Sequence, residues 1–289
     1  MGQERQRELV KVAAGEVLLG GGSSASNNFA WRSEEQQQLA EEAALGSTPV
    51  VVAVLPVSQG KSVAFSLAEK FDTLVREEQV LGAATSGGGG GDAGEAHLRV
   101  VLLLAPYRIL CASHEQVLSG QLGVQAEYVR SAAAARLLQC KYMSAEAPGS
   151  QHPRVLIMTP EVLALEATWV LLWQLVGRGT LRHVVVDECH LSLMTAGWRP
   201  ASVRLGMVRR LGVPVVLMTG TLPPALEPAL RSVFFLGRGG GSGDDDDDDD
   251  EVVQTRVIRA PMHRSNVRID VVAAPKGQRK PARPVDPLL

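Results

Sequence analysis

Pro49-Val50-Val51-Val52-Ala53-Val54-Leu55 is an unbroken apolar run, and Pro56-Val57-Ser58-Gln59-Gly60-Lys61-Ser62 follows it at once. A run with no polar alternation suits a strand buried on both faces, which needs cover on each side. The turn residues behind it open onto an amphipathic stretch, residues 62–76, so the local reading is strand, tight turn, helix. Backbone N–H groups gathered at such a helix start favour an anion. Lys61 can then reach the β and γ phosphates of a nucleotide, and the Ser62 hydroxyl can ligate Mg²⁺. Gly-Lys-Ser alone also occurs in ordinary strand-to-helix turns, so its weight comes from the strand in front of it.

The same alternation recurs along the chain. Leu98 to Leu104 precedes Tyr107 to Leu118, and Val155 to Met158 precedes Glu161 to Val176. Val184 to Val186 precedes Ala201 to Leu211, and Val213 to Met218 precedes Pro224 to Phe234. Buried strands alternating with amphipathic helices predict an α/β fold with a mostly parallel central sheet and helices on both faces. Ligands of such sheets bind beyond the carboxyl ends of the strands, so the loops after each run are where chemistry is expected. Two biased segments, Ser86 to Gly94 and Gly237 to Glu251, cannot bury enough apolar surface to offset chain entropy and read as disordered.

Composition sets the outer bounds. With 289 residues and 45% hydrophobic content the chain can build a packed core. The formal charge of −2 includes the acidic run Asp244 to Glu251, and without it the remainder is net positive. The basic residues are dispersed, which fits a local groove for a polyanion and excludes whole-surface binding. Cys111, Cys140 and Cys189 are odd in number and lack C-x-x-C spacing, which argues against a disulfide framework or a zinc site and for a reducing compartment. No signal peptide or membrane span is read, because Val155 to Val176 is broken by Pro160, Glu161 and Glu166.

The fourth apolar run ends in Val186-Asp187-Glu188-Cys189-His190. Carboxylates emerging from a buried strand beside a phosphate site can hold a metal and activate water. Asp187 is the expected Mg²⁺ residue, acting through the ion's water shell, and Glu188 the one that polarises the attacking water. The plainer reading is a solvated strand end with Asp187 as a helix cap.

These residues resemble the DEAD/DEAH-like superfamily 2 helicases. Asp187 to His190 is similar to their motif II, and Leu55-Pro56 with Gly60-Lys61-Ser62 to their motif I. Trp31-Arg32-Ser33-Glu34-Glu35-Gln36 resembles the upstream motif, which implies that Arg32 and Gln36 grip adenine. Ala105-Pro106-Tyr107-Arg108 stands in the place of motif Ia and Thr159-Pro160-Glu161 in that of motif Ib, both of which imply contact with the DNA backbone. Thr219-Gly220-Thr221 stands for motif III, and the resemblance pairs His190 with it, although a histidine at a strand end is often plain scaffolding.

Within that superfamily, Thr159-Pro160-Glu161 together with Trp198-Arg199-Pro200 resembles the RecQ group, whose Phe-Arg-Pro couples DNA binding to hydrolysis. Trp198 and Arg199 are therefore coupling candidates, and the alternative for Trp198 is a core aromatic packed under a loop. The resemblance implies a RecA-like lobe over residues 29–236, with ATP and Mg²⁺ bound and single-stranded or forked DNA as partner. It further implies 3′ to 5′ polarity and a nuclear location. Residues 1–28 read as an N-terminal extension, residues 237–251 as a linker, and residues 252–289 as the approach to a missing second RecA-like lobe. That last expectation rests on Arg259 to Arg268, which resembles the Arg-Pro-Asn-Ile entry to that lobe, and on the absence of motifs IV to VI before Leu289.

Departures from the pattern point the other way. Val57 and Ser58 stand where the family has Thr and Gly, and Gly220 where it has Ala. A Cβ in a phosphate loop hinders close approach of the backbone to the anion. Two classes of function therefore stay open: an ATP-dependent DNA helicase lobe, inactive without its second lobe, and a non-catalytic module that keeps the fold and binds nucleic acid or protein. A kinase or transporter ATPase predicts neither Thr-Pro-Glu nor Trp-Arg-Pro.

Overall fold

A computed structural model describes residues 2–19, 29–56, 59–85, 99–144, 152–236 and 253–261. Its strands are β1 (Val50–Val54), β2 (Val100–Leu104), β3 (Ala126–Tyr128), β4 (Val155–Met158), β5 (Leu181–Val186), β6 (Val215–Thr219) and β7 (Thr255–Arg259). They form one seven-stranded sheet in the order β3-β4-β2-β5-β6-β1-β7, with every adjacent pair parallel. The five apolar runs of the sequence are β1, β2, β4, β5 and β6. Part of the stretch expected to lead toward a second lobe, Thr255–Arg259, pairs with β1 as an edge strand, Thr255 opposite Val50.

The period-2 geometry of a strand divides each run between two cores. Val51, Ala53, Val101, Leu103, Ile157, Val185 and Met218 face one side. That side is covered by α1 (Gln3–Leu19), α2 (Glu34–Leu45), α3 (Val63–Ser66), α4 (Ala68–Thr85) and α5 (Arg108–Gln116). Val50, Val52, Val54, Leu102, Leu104, Val184, Val186 and Leu217 face the other. There the cover comes from α6 (Ala132–Met143), α7 (Pro160–Leu163), α8 (Glu166–Gly177) and α11 (Glu227–Val233), with a 3-10 helix at Arg204–Leu211. Short helices α9 (Leu191–Met194) and α10 (Pro200–Val203) lie between β5 and β6 in the chain. Each fully buried Val or Leu contributes about 1.5–3 kcal/mol, so the monotonous runs are the main source of stability.

The segment expected as an N-terminal extension contributes α1 to this core. Leu9, Val10, Ala13, Ala14 and Val17 make a helical stripe that is buried, and Arg5 and Glu16 tie the helix to Glu78 and Lys70 of α4. Val57, Ser58, the Gly-rich run, the Gly/Asp segment 237–251 and the tail beyond residue 261 lie outside the described residues. The sheet order matters most for function. β6 separates β1 from β5, so their carboxyl ends lie about two strand spacings, roughly 10 Å, apart on one edge. β2 is the immediate neighbour of β5 on its other side.

Candidate nucleotide site

Lys61, at the turn after β1, reaches across the end of β6, and its Nζ stands 3.4 Å from Oε1 of Glu188 after β5. Both side chains are partly buried, so the pair is only partly screened by water. Glu188 is a non-glycine residue at φ +49°. That left-handed conformation costs roughly 1–2 kcal/mol for a residue with a Cβ, so the surrounding contacts must hold it. They include Lys61 on Oε1 and, at Oε2, the Gly220 N–H and Nδ1 of His190, each at 3.4 Å. The next residue, Cys189, is anchored by its N–H to the Met218 carbonyl, 2.9 Å. A glutamate is therefore turned from the strand end toward the lysine.

Asp187 is fixed at both oxygens. Oδ1 accepts the Glu188 N–H at 3.0 Å, and Oδ2 lies 3.2 Å from Nε2 of His114. Its N–H donates to the Leu104 carbonyl at the end of β2, 2.9 Å, so the residue leaves the sheet in register with its neighbour strand. The helix-cap alternative is not what the geometry displays, since the carboxylate bonds only its own neighbour's N–H along the chain. His190 shares a 2.8 Å hydrogen bond between Nδ1 and Thr219 Oγ1, and Thr219 Oγ1 also accepts the Thr221 N–H at 3.0 Å. Burial lowers the His190 pKa, against the upward pull of Glu188. The strand ends of β5 and β6 are thus joined by a neutral-leaning histidine.

Gln36 and Gly60 meet on the other side of the turn. Gln36 is only 2% exposed; its Oε1 accepts the Arg32 N–H at 2.8 Å. Ser33 caps α2 by accepting the Gln36 N–H. Gly60 is at φ +75°, and a Cβ there would come within 2.0 Å of Gln36 Nε2. Only glycine fits, because both its backbone angle and the packed amide exclude a side chain. Ser62 precedes α3, with Phe65 and Ser66 N–H groups bonded to its carbonyl at 3.1 Å. Ser62 and Asp187 are the oxygen donors that could hold a metal ion between the two strand ends.

Residues 33–228 match the DEAD/DEAH box helicase family, which is more than half of the chain. The chain belongs to the DEAD/DEAH box helicase family. Solved structures similar to it include the DUF1998 helicase MrfA bound to DNA and AMPPNP, at 14% identity and a TM-score of 0.47, covering 88% of this chain and 29% of that one. Another is S. cerevisiae dbp5 bound to nup159, gle1, ip6 and adp, at 16% identity and a TM-score of 0.44, covering 86% and 51%. The chain spans about a third to a half of the length of these proteins.

The remaining helicase-type segments stand at the ends of β2 and β4. Pro106 is buried, whereas Tyr107 and Arg108 are exposed at the start of α5. Thr159 is buried and precedes Pro160 in the first turn of α7. Glu161 grips Arg199 in a bidentate pair at 2.6 and 2.9 Å, and the Arg199 guanidinium lies 5.4 Å from the centre of the Tyr107 ring. The bond from Arg199 holds the Glu161 carboxyl below the usual range. One arginine thereby joins three segments that are far apart in sequence. Trp198 beside it is 69% exposed, so it is not a core aromatic under a loop.

Sequence reasoning missed three contributors: His114, which touches Asp187; Tyr107, which carries Arg199; and His183 on β5, whose Nε2 bonds the Ala64 carbonyl of α3 at 2.9 Å. The signal was weak: His114 and His183 sit in no motif, and Tyr107 belongs to the Ala105-Pro106-Tyr107-Arg108 segment but had no role of its own there. No helix of the described residues is long and apolar enough to cross a membrane.

Proposed function

We propose that the chain is the first motor lobe of a nucleic-acid-dependent ATPase, binding Mg-ATP at the ends of β1 and β5 and a nucleic-acid backbone at the ends of β2 and β4. The observation that carries this reading is the approach of Lys61 to Glu188, 3.4 Å, at a strand edge that also presents Asp187, Ser62 and Gly60. Lys61 exchanges its internal partner for the β and γ phosphates when the nucleotide enters. Glu188, released from that pair, accepts a proton from the attacking water. Gln36 packs against Gly60 and accepts the Arg32 N–H, and these two residues are the ones to meet the base.

The residues suit magnesium. Among the described residues no group of three or more His, Cys, Asp and Glu could hold a metal by themselves. A magnesium ion does not need one, because one carboxylate, a hydroxyl, waters and the substrate phosphates complete its shell. Ser62 and Asp187 would hold it, and when bound it neutralises charge developing on the phosphates. His190, Thr219 and Thr221 connect that centre to the nucleic-acid face.

At that face, Pro106, Arg108, Thr159, Pro160 and Glu161 position the backbone, with Trp198 and Arg199 as the coupling pair. The choice of DNA, its single-stranded or forked form, the 3′ to 5′ direction, the RecQ grouping and a nuclear location rest on the resemblance of Thr-Pro-Glu and Trp-Arg-Pro alone. A second RecA-like lobe supplies the arginine that stabilises the transferring phosphate, a contribution on the order of 10³ to 10⁵ in rate. The test is binding of labelled single-stranded DNA, forked DNA and RNA across a salt series, wild type against Arg108→Ala. The reading expects weaker binding by the variant on every sequence and a salt slope reduced by about one. Binding that ignores Arg108 contradicts it.

A further inference from the structure

His114 is the contact at this site that no motif accounts for. It lies on α5, one helical turn after Cys111, which buries that helix against the sheet. Because β2 and β5 are neighbours, α5, which follows β2, comes down beside the strand end that carries Asp187. The ring is held on two sides. Nε2 is 3.2 Å from Asp187 Oδ2, and the Phe65 ring of α3 meets it edge-on, with centroids 5.3 Å apart at 74°. Phe65 is itself buried, three residues after Ser62. The imidazole therefore spans the helix that follows the phosphate turn, the metal-site carboxylate and the helix that begins at Tyr107 and Arg108.

We propose that His114 is a positioning residue for Asp187, donating its Nε2–H to Oδ2 so that the carboxylate keeps one orientation toward the magnesium shell. It also ties that orientation to α5, whose first turn stands on the nucleic-acid face. A carboxylate with one oxygen on the Glu188 N–H alone is free to turn about its Cβ–Cγ bond. The second contact from a different element removes that freedom, and partners of this kind alter metal affinity by about 10- to 100-fold. The inference rests on the reading of Asp187 as the magnesium residue.

The experiment measures the Mg²⁺ concentration that half-saturates binding of a fluorescent ADP analogue to the whole chain, with folding followed by circular dichroism. His114→Phe keeps the packing on Phe65 and removes the donor; His114→Gln keeps a donor of similar reach. The expected result is a rise of roughly tenfold for His114→Phe, with His114→Gln close to wild type and Mg-free nucleotide binding unchanged in both. An unchanged Mg²⁺ requirement in His114→Phe, while Asp187→Asn raises it, overturns the proposal and leaves the site reading intact. If Asp187→Asn also leaves the requirement unchanged, the magnesium reading itself fails. A His114→Gln variant as impaired as His114→Phe overturns the role of the donor.

Discussion

Nζ of Lys61 and Oε1 of Glu188 stand 3.4 Å apart across 127 residues of chain, with the end of β6 between their strands. The lysine leaves a turn whose Gly60 is at φ +75°, and the glutamate adopts φ +49° to face it. Backbone strain of this order is kept where a site needs it.

Gly60→Ala should be costly in a way a single contact explains. The new Cβ meets Gln36 Nε2 and sits at a disfavoured φ. We expect a loss of about 1–2 kcal/mol in unfolding free energy. Adding Gln36→Ala should return part of it, so the two changes are less than additive in chemical denaturation. Simple additivity would show that the amide and the turn do not touch.

His183 predicts an acid-sensitive stability. It is fully buried, and burial lowers its pKa from 6.5 to about 3, with Arg182 acting in the same direction. The folded chain keeps the ring neutral while the unfolded chain protonates it. Its contribution is thus intact above the unfolded value of 6.5 and is lost as pH falls from there toward 3. By about pH 5 the loss is about 2 kcal/mol. His183→Gln should show a smaller drop in urea midpoint between neutral pH and that point; an identical drop refutes the assignment.

Much of the fold was legible because a doubly covered sheet writes its central strands as monotonous Val/Leu runs, as in Val100–Leu104. The edges carry no such mark. Thr255–Arg259 mixes three polar residues with Val257 and Ile258 and buries only Ile258, and Ala126–Tyr128 is too short to stand out. At the site, Lys61, Asp187 and Glu188 were readable from the residues after each run. His114 was not, because its relation to Asp187 depends on β2 lying beside β5, and sequence order places β3 and β4 between them. Trp198 was ambiguous for a similar reason: exposure depends on the loop's packing, which a single residue type does not encode.

The three thiols should separate cleanly. Cys140 is exposed, while Cys111 and Cys189 are buried. Burial raises Cys111 to about 11 and pushes Cys189 higher still. An aromatic disulfide reagent at neutral pH should titrate Cys140 quickly and the other two only on unfolding. Rapid reaction of Cys189 would place the Asp187–Glu188 turn elsewhere.

Trp198 and Arg199 should behave oppositely although they are adjacent. Trp198→Ala removes an exposed ring, so stability should stay within about 0.5 kcal/mol, while binding of single-stranded nucleic acid weakens by about 1–3 kcal/mol if a base stacks there. Arg199→Ala strips Glu161 of its bidentate partner and Tyr107 of its cation. It should lower the thermal midpoint measurably. A stable Arg199→Ala with normal binding would dissolve the three-segment junction.

The most direct test of the account is calorimetric titration of the whole chain with Mg-ATP, comparing wild type, Lys61→Ala and Glu188→Gln. Wild type should bind, Glu188→Gln, where Lys61 has lost its internal competitor, should keep that binding, and Lys61→Ala should lose it. Equal and negligible binding by wild type and Lys61→Ala would contradict it and leave a helicase-like fold without a nucleotide.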